Sequence, residues 1–359
     1  VVEAAQYGSV LVVCPTVRMA IAGAAALRRR GLTTALIPDD WENARAGVDV
    51  VIGTRSAVFA PVDGMSSIVV IDEHDESLHE ERAPTWDAMA VARERARTAS
   101  VPFYATSPVP SANSMFVFRD VTQWVRSDRE WPQIHVSDLN DIPVSGSLLS
   151  SELLQSVSDV SHSTICVLNT KGKARLIVCK SCREVQRCAE CLSLLTQDDE
   201  GVLHCVRCAK SSGSVCQKCG RASFVVPRGG VSQLRQQLEA NSESEIVEIT
   251  SDSDDNWTAG HVFIGTEAVL YRVPSADTVV FADIDRDLGA PRMTAGSEVL
   301  ALVARAARIV GANGRIIIQT RQPDHPLMKA LVSLSVADGV RDAVESDLAR
   351  RVDLGLPPV

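Results

Sequence analysis

The stretch CKSCREVQRCAECLSLLTQDDEGVLHCVRCAKSSGSVCQKC, residues 179–219, carries eight of the ten cysteines of this 359-residue chain. They fall in four C-x2-C pairs, Cys179/Cys182, Cys188/Cys191, Cys205/Cys208 and Cys216/Cys219, separated by five, thirteen and seven residues. Each pair is a tight turn that aims two sulfurs at one point, and two such turns complete a tetrahedral four-sulfur site for zinc. Four turns therefore imply two Zn2+. Closed sites of this kind are structural, since a catalytic zinc keeps one position open. Disulfides fit poorly because nothing marks the chain as secreted. A redox pair would need one C-x2-C rather than four.

The segment LSLLTQDDEGVLH (192–204) is apolar at both ends and turn-like in the middle, the composition of a hairpin. Such a hairpin folds the second turn onto the third. An inner zinc on Cys188, Cys191, Cys205 and Cys208 follows, leaving an outer zinc on Cys179, Cys182, Cys216 and Cys219. Sequential pairing of the four turns is the alternative.

On either side of this module the pattern is a repeated strand and helix. Residues 9–14, 33–38, 48–53, 67–77 and 101–107 are short β-branched runs. Helical segments follow Thr16 and span about 85–98. After the module the series resumes, with runs at 245–251, 260–267, 277–285 and 314–320 and helices at 230–240 and 296–310. Residues 150–160 and 163–172 form the helix and strand that lead into it. Alternation of this kind predicts parallel α/β sheets, with ligands at the carboxyl ends of the strands. The fold expected is α/β: two parallel-sheet lobes with a two-zinc cysteine insertion and a helical C-terminal region. The lobes are placed at 1–125 and 149–320, joined by a proline-interrupted connection at 126–148. The insertion is placed at about 175–225 and the tail at 321–359.

A net charge of −9 argues against a generally basic nucleic-acid surface. Locally the balance differs: Lys171–Arg235 holds twelve Lys/Arg against five Asp/Glu. Eight thiolates and two Zn2+ would remove four of those seven positive charges, leaving a modest excess for phosphate contact. No run of eighteen apolar residues predicts a membrane span. The cysteine usage and the missing secretory leader point to a reducing, cytoplasmic setting. The chain opens at Val1 without Met and enters mid-domain, so a fragment is expected. Cys14 and Cys166 lie in apolar runs and are read as core thiols.

Several blocks resemble the primosomal protein N′ (PriA) family of replication-restart helicases. Gly53-Thr54-Arg55-Ser56-Ala57-Val58-Phe59 is similar to that family's GTRSALF segment. The nested cysteine spacing is similar to its zinc insertion. Ile318-Gln319-Thr320 with Gln322-Pro323-Asp324-His325-Pro326 resembles its IQT-x-QPDHP block, and Gly355-Leu356-Pro357-Pro358 its GLPP ending. The resemblance implies two RecA-like helicase lobes. It also implies DNA at replication forks, primosome proteins and single-strand-binding proteins as partners, with ATP and Mg2+ as possible ligands.

The departures are as informative. No G-x-x-x-x-G-K-[ST] phosphate loop is present, and in the family it would lie just before Val1. The DEEH motif, which should hold Mg2+ and position water, is Asp72-Glu73-His74-Asp75, one residue short. The family's G-S-A-T-P-S coupling motif is Tyr104-Ala105-Thr106-Ser107-Pro108 here, which keeps the threonine and little else. The KGHD segment is absent from 265–273. Arg305 and Arg308 keep the spacing of the family's arginine fingers, but Ala301 and Ala304 replace its glutamine and glycine. Together these changes imply the branch, typical of actinobacteria, in which the helicase scaffold survives and the ATPase motifs decay. The function expected is a replication-restart scaffold that binds DNA with an inactive helicase core. The alternatives are an active 3′-to-5′ helicase whose phosphate loop lies upstream and a zinc-ribbon interaction protein outside replication.

Overall fold

The structure, a computed structural model, describes residues 1–107, 109, 111, 114–115, 131–142, 148–169, 177–190, 193–198, 200–205, 208–225, 230–249, 253, 261–290 and 295–333. It also describes positions 341, 344–345, 348–349, 351–353 and 355. The chain divides into two compact units, Val1–Thr122 with Arg350–Val359, and Gln123–Ala349.

The first unit is built on β1 (Ser9–Val13), whose residues Val10 to Val13 are at most 1% exposed. A β-branched run buried on both faces is the mark of a central parallel strand. Thr16 then caps helix α1 (Val17–Arg28), its hydroxyl accepting from Met19 N at 3.2 Å. Capping of this kind stabilises a helix by about 1 kcal/mol. Next come β2 (Thr34–Ile37), α2 (Trp41–Ala46), β3 (Val50–Gly53) and β4 (Met65–Ile71). A two-stranded hairpin of β5 (His79–Glu80) and β6 (Trp86–Asp87) leads into α3 (Ala88–Ala99), and β7 (Phe103–Thr106) completes the sheet. The five long strands are all parallel, in the order β2-β3-β1-β4-β7. Alternate residues serve opposite faces: Val10, Val12 and Val69 pack with α1, while Leu11, Val13, Ile68 and Val70 pack with α3.

The second unit repeats the plan. Its sheet contains β8 (Gln133–Asp138), β9 (Thr164–Val167), β14 (Ile246–Ile249), β15 (Val262–Gly265), β16 (Thr278–Phe281) and β17 (Arg315–Thr320). All six run parallel, in the order β14-β15-β9-β16-β17-β8. Helices α4 (Ser151–Ser158) and α5 (Val231–Asn241) bury Leu153, Val157, Leu234 and Leu238 on one face, against Cys166, Ile264, Val280 and Ile317. Three further helices are α6 (Val269–Arg272), α7 (Asp285–Leu288) and α8 (Ala295–Val310). Helix α9 (Pro326–Leu331) starts the tail with Pro326 at its first position, and His325 Nδ1 accepts from Leu327 N.

Helix α2 and strand β8 are among the elements that the sequence reading did not contain. Helix α2 was not expected, because six residues are too few to show a helical period. Strand β8 lies inside the stretch read as an irregular connection. It pairs with β17 over six residues, from Gln133↔Arg315 to Thr320↔Asp138. This edge strand leaves its apolar residues Ile134 and Val136 only half-buried, and Pro132 just before it breaks the pattern. The GLPP ending and most of the expected tail helices fall outside the described residues.

Candidate metal centre

Four short strands frame the cysteine module: β10 (Val178–Cys179), β11 (Leu195–Gln197), β12 (Leu203–Cys205) and β13 (Phe224–Val225). Strands β11 and β12 pair antiparallel as Leu195↔Cys205, Thr196↔His204 and Gln197↔Leu203. Their turn is held by Asp198, whose Oδ1 accepts from Glu200 N and Val202 N and whose Oδ2 meets His204 Nε2 at 2.5 Å. Gly201 adopts a φ of +83° there. Inside, Leu195 and Leu203 pack with Ile177, Cys188, Cys205 and Phe224. The hairpin expected from residues 192–204 therefore forms, and it stacks the second cysteine turn on the third.

The turns share one backbone pattern. The first cysteine's N–H donates to the carbonyl five residues on: Cys179 to Glu184, Cys188 to Ser193, Cys205 to Lys210 and Cys216 to Arg221, all at 2.8–2.9 Å. In three of them the fourth residue on donates back to that cysteine's carbonyl: Arg183, Ala209 and Gly220. These three have φ of +61°, +59° and +71°. Arg183 and Ala209 sit there against the ordinary preference of L residues, a conformation kept only where the surroundings dictate it.

Sulfurs of Cys179, Cys182, Cys216 and Cys219 lie within 4.8 Å of one another, and so do those of Cys188, Cys205 and Cys208. Cys191 lies outside the described residues. The measured separations are 3.6 Å for Cys179–Cys219, 3.5 Å for Cys182–Cys216 and 3.4 Å for Cys188–Cys208. A disulfide would need about 2.05 Å. A tetrahedron with metal–sulfur bonds of about 2.3 Å has edges of about 3.8 Å. Both clusters therefore have the dimensions to hold a metal ion, and an all-sulfur donor set suits a soft or borderline one. Backbone amides already face some of the sulfurs, for example Cys208 N to Cys205 Sγ at 3.4 Å. Burial opposes charge on Cys216, but the Cys219 and Lys218 amides and the neighbouring thiols outweigh it and bring its pKa to about 7. One contact was invisible to the spacing argument: buried Gln186 donates from Nε2 to Cys216 Sγ at 3.4 Å.

The module is seated on the second sheet. Leu194 N donates to Gly289 O at 3.1 Å, and Arg183 donates to Asn140 O at 2.5 Å. A Cβ placed on Gly289 would lie 2.0 Å from Leu194 Cγ, so only glycine allows this approach. Half-buried Arg187 has its pKa lowered by desolvation, with the Asp285 charge pulling the other way. Asp285, fully buried, accepts from Thr320 Oγ1 (2.7 Å), Arg321 N (2.7 Å) and Gln322 Nε2 (2.6 Å). Nearby Asp283 is pushed up to about 6 by burial and by Asp285, with Arg286 Nε at 2.8 Å opposing. The sequence reading marked the 318–326 block but missed these aspartates, since no local pattern distinguishes a buried carboxylate from a solvated one.

The residues singled out as helicase positions lie elsewhere. Asp72 is buried just past β4 at a φ of +52°. Glu73 N donates to Thr106 O at 3.1 Å, and His74 Nδ1 meets Ser107 Oγ at 2.6 Å, so the two motif positions adjoin through the β4–β7 register. The Glu73 carboxylate accepts from Ser111 N (2.8 Å) and Ser111 Oγ (2.7 Å). Burial raises its pKa above the ordinary range despite those bonds. Thr106 is exposed. Arg305 lies over the Tyr271 ring, its Cζ 3.6 Å from the centroid, while Arg308 is exposed on α8.

Two parallel sheets of this topology, one in each unit, with a cysteine module seated in the second unit, give an α/β fold of two RecA-like lobes. The chain is similar to replication restart protein PriA over most of its length. It is 27% identical to PriA of Thermotoga maritima over 350 residues, which is 89% of this chain and 46% of that protein. The figures are 25% identity for Haemophilus influenzae PriA (89% and 47%) and 23% for Bacillus subtilis PriA (93% and 45%). The chain thus spans about half the length of the curated relatives it matches. Among solved structures, RecG bound to a three-way DNA junction is 12% identical with a TM-score of 0.49, over 95% of this chain and 40% of that one. The Escherichia coli DExH-box NTPase HrpB is 10% identical with a TM-score of 0.45, over 87% and 36%. No family model matches the chain. Among the described residues, no helix is long and apolar enough to cross a membrane.

Proposed function

We propose that this chain is the helicase-core and metal-module part of a cytoplasmic replication-restart protein. It binds DNA at stalled forks and helps assemble the primosome there, and its helicase core does not hydrolyse ATP. Similarity to PriA along about nine-tenths of the chain is the observation that carries the reading. The sulfur separations support Zn2+ in both clusters: Cys179, Cys182, Cys216 and Cys219 in one, and Cys188, Cys191, Cys205 and Cys208 in the other. In such closed sites zinc supplies cohesion rather than catalysis. Support for an inactive core comes from both units. A glutamate that positions water must present its carboxylate to the ligand. Glu73 instead spends both oxygens on Ser111, and Arg305 spends its guanidinium on Tyr271.

The test uses the full-length protein. Metal analysis should give two zinc ions per chain. Forked DNA should bind, and adding it should not raise ATP hydrolysis above the protein-free blank. A brisk DNA-stimulated ATPase would overturn the scaffold reading in favour of an active helicase.

A further inference from the structure

We propose that Gln186 is a positioning residue for the outer metal site, orienting the Cys216 thiolate and tying the outer cage to the inner hairpin. The inference rests on the zinc reading above.

Gln186 is 1% exposed, and every hydrogen-bonding group it owns is engaged. Its backbone N–H donates to Ile177 O at 2.8 Å, and its carbonyl accepts from Leu195 N at 3.1 Å. The flanking bridges Val178↔Val185 and Arg187↔Leu194 hold it on both sides. Its main chain therefore belongs to the inner hairpin. The side chain crosses to the outer turn, thirty residues away in sequence. Nε2 donates to Glu184 O at 2.8 Å and to Cys216 Sγ at 3.4 Å, while Oε1 accepts from Gln217 N at 3.3 Å.

Two backbone partners settle the orientation of the amide. Glu184 O can only accept, so it faces the NH2 group; Gln217 N can only donate, so it faces the oxygen. The second amide hydrogen is left directed at sulfur, and the sulfur is the acceptor. An N–H donated to a metal-bound thiolate fixes its direction and withdraws part of its charge, and loss of such outer contacts typically lowers metal affinity 10–100-fold. Cys188, Cys205 and Cys208 receive nothing comparable from Gln186, so the effect is confined to one cage.

The experiment is chelator competition on the protein with both sites loaded with 113Cd2+ in place of zinc, the two ions told apart by 113Cd resonances coupled to the cysteine β protons. Gln186→Met keeps the volume and removes the donor. It should release the outer ion about 10–100-fold faster and leave the inner ion's rate unchanged. With Co2+ in place of zinc, the sulfur-to-metal charge-transfer band of the outer site should shift. Gln186→Glu, which turns an oxygen on the thiolate, should accelerate release further. A second measurement needs no variant: in the 113Cd-loaded wild-type protein, a Gln186 Hε2 proton should couple to the outer cadmium through the hydrogen bond. Unchanged release from both sites, or no such coupling, overturns the proposal while two bound ions leave the zinc reading standing. A wild-type protein that binds no metal would remove both.

Discussion

The cysteine module and the carboxyl end of the first sheet put reactive side chains to opposite use. In the module, sulfurs far apart in sequence converge on common centres at the spacing of a metal's coordination sphere. Past β4, the chemistry-bearing residues are turned aside: Glu73 is sealed by Ser111, and His74 meets Ser107. The module has only two small apolar clusters of its own, and about 50 residues rarely bury a sufficient core, so cohesion from a metal held by its sulfurs is what the proposed zinc would add. The first sheet is held by its β-branched interior and tolerates the redirection of polar loops. The difference teaches that a scaffold stabilised by burial holds its shape whatever its polar loops do, whereas one that relies on a bound ion would need every ligand in place.

The largest expected effect is at the module's centre. Cys205→Ser should lower bound zinc below two ions per chain and remove hydrogen-exchange protection across residues 177–225, with far-UV helix signal retained. Structural zinc contributes about 10–16 kcal/mol to small domains, so partial retention of module structure is not expected. A global loss of helix in that variant would break the comparison, because it would make the sheets depend on the metal.

Next in size is the seat of the module. Gly289 has a φ of −89°, so Gly289→Ala adds no backbone strain but drives a methyl group into buried Leu194. Overpacking of this kind costs about 1–3 kcal/mol. Faster exchange of the Leu194 amide, with both zinc ions still bound, would show that docking and ligation are separable.

A smaller effect, of opposite sign, is expected at Glu73. Its folded-state pKa lies above the unfolded value, so its contribution is fully present below the unfolded pKa and is lost as pH rises through the folded one. Glu73→Gln mimics the protonated form and can keep both bonds to Ser111. It should match wild type in acid and exceed it by a few °C in Tm at pH 8, a shift of the size expected for a small change in stability. Destabilisation at pH 8 would mean that the ionised carboxylate has a partner it needs, restoring the case for a working site.

Smallest is Arg305→Ala, which removes the stacking on half-exposed Tyr271 and should cost about 0.5–1 kcal/mol by denaturant unfolding. A larger loss would give Arg305 a structural role beyond the ring.

What could be read in advance follows from range in sequence. Central parallel strands announce themselves because burial on both faces writes an unbroken apolar, valine-rich run, as in Val10 to Val13. The hairpin between the second and third cysteine turns was legible because thirteen residues with a polar middle leave little else. Strand β8 was not, since Ile134 and Val136 alternate with Gln133, His135 and Ser137 and look like loop. The bonds that decide the chemistry were the least visible. Ser111 lies 38 residues from Glu73, Thr320 lies 35 from Asp285, and Gln186 lies 30 from Cys216. Each is a polar residue whose role depends on a partner that only the fold supplies.

Where the module leaves the second sheet, β10 and β13 pair antiparallel as Val178↔Val225 and Cys179↔Phe224. That pairing acts as a neck: some 48 residues open and close within one strand spacing of each other. To the sheet, the whole excursion is no longer than a short loop, so the entropy of closing it falls on the neck and not on strand register. A chain built this way can carry a long graft without disturbing strand register, and the host feels it mainly at the few seating contacts, such as Leu194 on Gly289.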